Sequence, residues 1–275
     1  MAADEGAGEV SAIVTTRDSA LTLEACLVSL KGQDCPDAEV IVVDNISSDG
    51  TLEIARRFAD KVVTHGPKRS AQRNFGASLV VGECLLFVDS DMRLHGRVIS
   101  EAVRTLRMNE APAVIIPEVS FGEGFWTQCR ALERICYIGD NMVEAARFYR
   151  RDVFERVGGF DEALTGGEDW YLSRRVAGQA VLPRTRSVIG HDDGCITLRS
   201  AYCKRRYYAP GYIAYLRKHG RARSPQRNPI IRAAYLRNWR MLGKHPLLTA
   251  GMVVLKSVEA AAVVPFHFRQ VLRGG

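Results

Sequence analysis

Short apolar runs alternate with amphipathic stretches through the first third of the chain. The runs are rich in Val, Ile and Leu and too short for a buried helix, which is typical of strands buried on both faces. Between them, apolar residues recur every three or four positions, which is the period of an amphipathic helix. This alternation predicts an α/β fold with a doubly wound, mostly parallel sheet. The predicted strands cover residues 10–16, 39–45, 61–64 and 84–88.

The middle of the chain continues the alternation with less regular spacing. Glycines and prolines punctuate it and set the predicted ends of the elements. The pattern extends the α/β domain to residue 195 and leaves residues 1–9 as a flexible N-terminus. The further predicted elements are a helix after Asp18 and Ser19, a helix after Thr51, helices at 68–80 and 95–108, a strand at 113–119, a mostly helical stretch at 123–148, a helix at 150–158, a helix from Glu168, and a strand-like segment at 180–189.

Acidic residues stand where two of the predicted strands end. Asp89 and Asp91 follow the fourth strand, and Asp44 belongs to the end of the second. Because the carboxyl ends of parallel strands meet in one crevice, these acids should lie near Thr15 at the end of the first strand. Two acids one residue apart concentrate negative charge, which a divalent cation bound to phosphate would neutralise. The alternative is that the pair caps the next helix or binds Arg93.

Glu168 and Asp169 stand at the predicted start of an amphipathic helix, directly after two glycines. A helix N-terminus favours negative charge, so both carboxylates are predicted to be ionised. An ionised carboxylate in a crevice can act as a general base, and helix capping is the alternative. His191 stands beside two acids and is either a metal ligand or a solvated loop residue.

Several common kinds of site are not indicated by the sequence. Neither a Walker P-loop nor a complete G-x-G-x-x-G follows a predicted strand, which argues against a P-loop NTPase or an ordinary dinucleotide-binding domain. The seven cysteines include no C-x-x-C pair, and Cys26, Cys84 and Cys136 stand among apolar residues. They predict reduced core thiols of a cytosolic chain, with neither a zinc site nor a disulfide framework.

Charge is distributed unevenly along the chain. Residues 194–275 contain 16 Lys and Arg and a single acid, Glu259, whereas residues 1–193 contain 22 basic and 30 acidic residues. The net charge of +7 therefore hides an acidic two-thirds followed by a strongly basic third. A basic surface of this kind predicts a polyanionic partner such as anionic lipid, lipid phosphate or nucleic acid.

The basic third, residues 196–275, is predicted to be a helical extension. Arginine and lysine interleave with tyrosine in 196–219, a pattern that suits a membrane surface or a nucleic acid. Pro210 is expected to break or kink this stretch. A second basic helix is predicted at 229–243, and it includes Trp239.

The stretch 246–266 is mostly apolar and has about the length of a membrane span. Lys256 and Glu259 interrupt it, and internal charges oppose stable insertion into a bilayer. Three interpretations stay open: a helix lying in the membrane interface, an ordinary packing or dimer helix, and a true span.

Four short motifs occur in order between residues 10 and 195. They are V-V-D-N-I-S-S-D-G-T at 42–51, Arg73-Asn74 with Gly76, V-D-S-D at 88–91, and G-G-F-D-E at 158–162 followed by Glu168-Asp169. In this order and spacing they resemble glycosyltransferase family 2, a group of inverting nucleotide-sugar transferases with the GT-A fold. The resemblance implies a GT-A catalytic domain over residues 10–195.

The resemblance also implies a role for each matching position, as follows. Thr15, Arg17 and Asp44 would line the base and ribose pocket, Lys68 and Arg73 would face the nucleotide, and Asp89 would face the ribose. Asp91 and His191 would hold a divalent metal (Mg²⁺ or Mn²⁺), and Arg205 and Arg206 would close over the donor diphosphate. Asp169, beside Glu168, would be the catalytic base. Asn45 departs from the pattern, because many relatives carry a second acid there.

The resulting hypothesis is an inverting glycosyltransferase that moves a sugar from a nucleotide-diphosphate sugar to a hydroxyl of a glycan or lipid-linked acceptor. It would be cytoplasmic and peripheral on the inner face of the cell membrane, because the N-terminus lacks a charged-then-apolar leader and the C-terminal third is basic. A homodimer is compatible with the sequence, and nucleic acid is the less favoured partner.

Two alternatives from other classes stay open. A sugar-phosphate nucleotidyltransferase shares the sheet and the acidic site but normally has a glycine-rich basic loop after the first strand, which is not seen here. A non-catalytic nucleic-acid-binding protein would use the basic third and would leave the acidic motifs unexplained.

Overall fold

The computed structural model describes residues 9–35, 37–141, 143–219 and 233–271. The strands are β1 Val10–Thr16, β2 Glu39–Asp44, β3 Lys61–Thr64, β4 Cys84–Asp89, β5 Met92–Leu94, β6 Ala113–Ile115, β7 Glu118–Glu123, β8 Ala146–Arg150 and β9 Ile189–Cys195. The helices are α1 Leu23–Lys31, α2 Thr51–Phe58, α3 Arg69–Ser78, α4 Val98–Met108, α5 Phe125–Tyr137, α6 Arg151–Arg156, α7 Glu168–Ala177, α8 Leu198–His219, α9 Ala233–Arg237, α10 Trp239–Lys244 and α11 Pro246–Val271.

The chain divides into two compact units, which are described separately. The first comprises Met1–Glu118, Ala145–Glu162 and Glu168–Asp192, and the second comprises Val119–Glu144, Ala163–Gly167 and Asp193–Gly275. The predicted domain boundary between residues 195 and 196 does not separate these two units, because α5 belongs to the same unit as the C-terminal helices. Apart from Glu9, the predicted flexible N-terminus lies outside the described residues.

A six-stranded sheet in the order β3-β2-β1-β4-β8-β6 forms the centre of the first unit. The strands from β3 to β4 are parallel, and β8 runs antiparallel to both of its neighbours. The predicted α/β fold with a mostly parallel sheet is therefore confirmed. The carboxyl ends of β1, β2 and β4 lie side by side, since Thr15 is in register with Asp89 and Thr16 with Asp44.

The continuous apolar runs of the sequence arise because both faces of this sheet are buried. Successive side chains of a strand point to opposite faces. Val14 packs in the core that includes residues of α1 and α4, whereas its neighbour Ile13 packs in the core that includes residues of α6 and α7. Both residues are fully buried, as are nearly all residues of β1 and β4.

Three elements of the first unit differ from the sequence prediction. The stretch 123–148 was predicted to be mostly helical, but its last residues, 146–148, belong to strand β8 beside β4. The strand predicted at 180–189 is displaced, because β9 runs from Ile189 to Cys195 and contains His191, which pairs with Met92. Helix α1 begins at Leu23 after a turn, because Ser19 accepts backbone bonds from residues 22 and 23, and Leu21 projects fully into solvent.

The second unit is mainly helical. Helix α8 continues through Pro210 and does not break there, although an interior proline removes one hydrogen bond and its ring crowds the preceding turn. The backbone of the segment 163–167 packs against it: a Cβ on Gly211 would lie 2.6 Å from the nitrogen of Gly166. Residues 229–232 of the predicted basic helix lie outside the described residues, and the rest forms α9 and α10 with Asn238 between them.

The packing of α3 on the sheet gives a prediction about Gly76. A Cβ at this position would lie 2.6 Å from Cγ2 of Ile13 and 3.0 Å from Cγ2 of Val43, which are stiff β-branched side chains. We expect Gly76→Ala to lower the free energy of unfolding by about 1–3 kcal/mol through overpacking, despite the better helix propensity of alanine.

Gly243 in α10 provides the matched control, because no atom lies within 4 Å of the position that a Cβ would occupy. Gly243→Ala should leave thermal stability unchanged or raise it, since only helix propensity changes. Equal melting temperatures for the two variants would contradict the close approach of α3 to the sheet.

Candidate active site

The carboxyl ends of β1 and β4 bring the first predicted residues together. The Thr15 hydroxyl donates a hydrogen bond of 3.3 Å to Oδ1 of Asp89, and both residues are buried. Asp44 is adjacent at the end of β2 but is fully buried, and its carboxylate accepts bonds from the backbone nitrogen (2.8 Å) and hydroxyl (2.5 Å) of Ser47. Asp44 thus fixes the turn after β2, while Arg17 projects into solvent and pairs with its neighbour Asp18.

Asp89 is surrounded by three arginines. Its oxygens lie 2.8 Å from Nη2 of Arg73, 3.4 Å from Nη2 of Arg147 and 3.8 Å from Nη1 of Arg69. Burial raises the pKa of Asp89, but the guanidinium groups of Arg73, Arg69 and Arg147 outweigh it and hold the pKa well below its usual range. Asp89 is therefore ionised and held rigidly at the end of β4.

Arg73 connects this strand end to the predicted base. Its side chain is completely buried on α3, and its guanidinium lies 5.0 Å from the ring centroid of Phe160. Nη1 donates a bond of 2.5 Å to Oδ1 of Asp169, and Nη2 donates to Asp89. Both terminal nitrogens of Arg73 are thus bonded to carboxylates, and its contact with a nucleotide stays a prediction.

Glu168 and Asp169 begin helix α7, as predicted, and their surroundings differ. Glu168 is 2% exposed, and its Oε1 lies 2.7 Å from Nη2 of Arg69 and 3.8 Å from Nη1 of Arg73. The Asp169 side chain is 28% exposed. A base must reach a hydroxyl of a bound molecule, so the accessibility of Asp169 suits that role better.

Asp91 and His191 meet where β5 pairs with β9, since Asp91 directly precedes β5 and His191 is in register with Met92. Nε2 of His191 lies 3.1 Å from Oδ2 of Asp91, and Nδ1 lies 3.6 Å from Oε2 of Glu118. His191 is only 9% exposed, which does not match a solvated loop residue. Arg93 pairs with Asp192 at 2.9 Å, and the next helix begins at Val98, seven residues after Asp91.

These residues fit a divalent cation held jointly by protein and substrate. Oδ1 of Asp91 is buried and forms no hydrogen bond, so a ligand atom is available beside the imidazole of His191. Carboxylate and imidazole are ordinary ligands for Mn²⁺, and Mg²⁺ commonly takes one or two carboxylates plus phosphate oxygens and water. Among the described residues no group of three His, Cys, Asp or Glu forms a complete metal cage, so the remaining ligands would come from phosphate and water.

The balance of charge in this cluster also suits a cation. Three arginines neutralise three of the five carboxylates in the cluster, so two negative charges remain in excess when His191 is neutral. The cations are Arg69, Arg73 and Arg147, and the carboxylates are Asp89, Asp91, Glu118, Glu168 and Asp169.

The remaining predicted site residues are Lys68, Arg205 and Arg206. Lys68 is exposed at the start of α3, where its Nζ donates a bond of 2.9 Å to the carbonyl of Glu162. Arg205 and Arg206 are on α8 in the second unit, and the guanidinium of Arg205 lies 4.5 Å from the ring centroid of Tyr212. Contact of these two arginines with a donor diphosphate stays a prediction.

Arg69, Arg147 and Glu118 were not predicted from the sequence. Arg147 is buried in β8, where Nε bonds to Glu118 at 2.5 Å. Burial lowers the pKa of Arg147, but Glu118 and Asp89 raise it above its ordinary value. The sequence does place an arginine beside apolar residues at 146–149. This pattern indicates a buried arginine only when the segment is recognised as a strand.

Comparisons with known proteins agree with this architecture. The chain is 30% identical over 178 residues to a PGL/p-HBAD biosynthesis glycosyltransferase of Mycobacterium bovis, covering 60% of this chain and 68% of the relative. It is 29% identical over 185 residues to glycosyltransferase AglE of Haloferax volcanii, covering 60% of each. A shorter match, 36% over 89 residues, covers 30% of this chain and 25% of a cholesterol galactosyltransferase of Borreliella burgdorferi.

Solved structures share the fold. The mannosyltransferase PcManGT of Pyrobaculum calidifontis, in complex with GDP-Man and Mn²⁺, superposes with a TM-score of 0.60 at 20% identity, over 94% of this chain and 74% of that one. TarS 1–349 of Staphylococcus aureus in complex with UDP gives 0.55 at 20% identity, over 95% and 91%.

The GT-A fold expected from the motifs is confirmed by these superpositions. The family model described as glycosyl transferase family 2 matches residues 11–159, more than half of the 275 residues. The strand ends, the buried Arg73 and most of the motif-bearing segments lie within this match. The chain is a glycosyltransferase and belongs to glycosyltransferase family 2.

Proposed function

We propose that this glycosyltransferase moves a sugar from a nucleoside diphosphate sugar to an acceptor hydroxyl with inversion at the anomeric carbon. The observation that carries the proposal is Arg73, which bonds at once to Asp89 on the strand that leads to Asp91 and to Asp169 at the start of α7. Arg73 therefore holds Asp169, the candidate base, in a fixed position relative to the candidate cation site at Asp91. The donors named for the structural neighbours, UDP in TarS and GDP-Man in PcManGT, support a nucleoside diphosphate sugar.

In the proposed reaction Asp169 accepts the proton of the acceptor hydroxyl as its oxygen attacks the anomeric carbon. The bond from that carbon to the diphosphate oxygen breaks, and the nucleoside diphosphate leaves with the electron pair. Attack on the face opposite the leaving group inverts the anomeric configuration. Asp91 and His191 would hold Mg²⁺ or Mn²⁺, whose chemistry here is to neutralise charge on the departing diphosphate.

We propose a lipid or lipid-linked acceptor and a peripheral position on the cytoplasmic face of a membrane. The strongly basic composition of residues 194–275 supports an anionic surface as partner. The name of the Borreliella burgdorferi relative, a cholesterol galactosyltransferase, supports acceptance of a lipid hydroxyl within this family.

Ligand-dependent thermal stability tests the donor site. UDP, GDP, dTDP and CDP, each with Mn²⁺ or Mg²⁺, are added to the wild-type chain and to Asp91→Ala. A diphosphate at a hundred times its Kd stabilises a protein by about 2.7 kcal/mol, which corresponds to roughly 5–10 °C for a chain of this size. We expect one diphosphate to raise the melting temperature of the wild type only with metal, and Asp91→Ala to lose that shift.

Asp152→Ala serves as the control, because Asp152 is a half-exposed acid whose carboxylate bonds to arginines on the surface. It should keep the full ligand-induced shift. A well-folded wild type that responds to none of the diphosphates, or an Asp91→Ala variant that responds like the wild type, would contradict the proposed donor site.

A further inference from the structure

Helix α11 in the second unit is held on one side by buried ion pairs. Nζ of Lys256 lies 2.5 Å from Oε1 of Glu133 on α5 and 2.8 Å from Oε2 of Glu259. Arg130 on α5 pairs with both Glu133 and Glu259. Burial raises the pKa of Glu133, but Lys256 and Arg130 outweigh it and hold the pKa well below its usual value.

The same side of α11 packs closely against α5. A Cβ on Gly251 would lie 2.5 Å from Sγ of Cys129 and 2.7 Å from the ring of Phe125, so the helices approach each other through the glycine. Leu255 and Ala262 are fully buried on this side. The orientation of α11 about its own axis is therefore fixed by its contacts within the unit.

The opposite side of α11 is exposed and carries no charge. Its exposed positions recur every three or four residues from Leu247, which is 78% exposed, to Val264, which is 47% exposed. They therefore form one stripe about 25 Å long at 1.5 Å per residue. We call this stripe the α11 face, and it consists of Leu247, Ala250, Val253, Val254, Ser257, Ala261 and Val264.

An apolar stripe of this length facing water indicates an interaction surface. By length and composition Pro246–Pro265 could cross a bilayer, and no other described helix meets those criteria. A span is opposed by the ion pairs, because inserting α11 would carry Lys256 and Glu259, with their partners on α5, into hydrocarbon. The α11 face is long enough to lie along a bilayer without any of these groups entering it.

The charges of residues 194–275, which make up most of the second unit, decide between a bilayer and a second copy of the chain. Glu259 is the only acid in residues 194–275, and it is occupied by Arg130 and Lys256. The α10 helix, which leads directly into α11, exposes Arg240 and Lys244. Two copies meeting through their α11 faces would bring basic surfaces together, which is repulsive, whereas anionic headgroups would neutralise them.

We infer that the α11 face docks on an anionic membrane surface, with the helix lying parallel to the bilayer and its apolar stripe at the boundary between headgroups and acyl chains. Trp239, which is 64% exposed beside Arg240, has the chemistry of an interfacial anchor. The surface would bring the enzyme to a lipid-linked acceptor, and to that extent it rests on the proposed function.

Vesicle flotation of the full chain tests the inference, with vesicles of phosphatidylcholine alone and of phosphatidylcholine with phosphatidylglycerol. We expect the wild type to float with the anionic vesicles and Leu247→Asp/Val254→Asp to bind at least about tenfold less, because two charges enter the stripe. Val81→Asp/Val181→Asp is the matched control: these valines are 82% and 70% exposed in the first unit, and the change in charge is identical. It should float almost as well as the wild type.

Any of the following results would overturn the inference. The first is equal flotation of the α11-face variant and the control, or no flotation of the wild type. The second is resistance of the bound wild type to alkaline carbonate, which would indicate a span. The third is a dimer of the wild type in lipid-free solution that Leu247→Asp/Val254→Asp converts to monomer, which would make a second copy the partner.

The donor-induced thermal shift, measured without vesicles, separates this inference from the proposed function. We expect Leu247→Asp/Val254→Asp to keep that shift and its melting temperature, because the substituted side chains are exposed and far along the sequence from the donor site. If the wild type floats with anionic vesicles but shows no thermal shift with any donor diphosphate, the proposed donor site is contradicted and the membrane-docking inference is retained.

Discussion

Asp169→Asn should lower the rate of sugar transfer by about 10²–10⁴-fold, because the amide cannot accept the proton of the acceptor hydroxyl. Asparagine is nearly isosteric, and its carbonyl oxygen can still accept the bond from Nη1 of Arg73. The fold and the donor site should therefore be preserved. The measurement is the initial rate of nucleoside diphosphate release with donor and acceptor, alongside the donor-induced thermal shift, which we expect to be unchanged.

Glu168→Gln is the matched control for this result, since it makes the same chemical change one residue earlier. Glu168 is buried against Arg69 and Arg73, so we infer that it orients these arginines and does not contact the acceptor. Its substitution should reduce the rate much less than Asp169→Asn. A larger loss in Glu168→Gln, or turnover of Asp169→Asn within a few-fold of the wild type, would assign the proton transfer to another group.

Arg73→Met should have the largest effect on stability of any single substitution in the site. The variant removes a completely buried guanidinium and leaves Asp89 and Asp169 with fewer cationic partners. Breaking a buried ion pair in this way typically costs about 3–5 kcal/mol. Chemical or thermal unfolding at neutral pH measures the loss, and Arg69→Met is the comparison, because the Arg69 side chain is 35% exposed and should cost far less.

The pH dependence of this loss separates charge from packing. The pKa of Asp89 is lowered in the folded chain, so its ion pairs contribute stability above the unfolded pKa of about 3.9, and this contribution is lost as the pH falls through the folded value. The difference between the wild type and Arg73→Met should therefore shrink as the pH drops below about 4. A difference that is independent of pH would mean that Arg73 stabilises by packing on Phe160 alone.

Arg73→Lys separates the effect of the positive charge on stability from the effect of side-chain geometry on sugar transfer. Lysine keeps the positive charge but offers one ammonium group, which cannot reproduce a planar fork bonded to two separate carboxylates. We expect this variant to recover part of the stability lost in Arg73→Met while transfer stays strongly impaired. Recovery of both properties together would show that the charge alone is sufficient.

The sequence predicted the strand ends well, because a parallel sheet brings together whatever follows its strands. Asp44, Asp89 and Thr15 needed no tertiary information beyond the strand order, and the register bears out their proximity. The start of α7 at Glu168 was likewise signalled by two preceding glycines and an amphipathic pattern.

The sequence did not predict which charged residues are buried. Arginine is usually exposed, so neither the complete burial of Arg73 nor the near-complete burial of Arg147 within β8 follows from the local sequence pattern. Both side chains are stabilised by carboxylates distant in sequence, such as Asp169 and Glu118. Long-range pairing of this kind becomes visible only after the sheet order is known.

The ion pairs between α5 and α11 have a consequence for how this sequence can diverge. Arg130, Glu133, Lys256 and Glu259 balance one another, and loss of one member leaves a charge unpaired away from water. Single neutral replacements are therefore costly, while replacing the whole set by apolar residues of similar volume is tolerable in principle. In descendants of this chain the four positions should be retained together or exchanged together, so that two helices more than a hundred residues apart evolve as one unit.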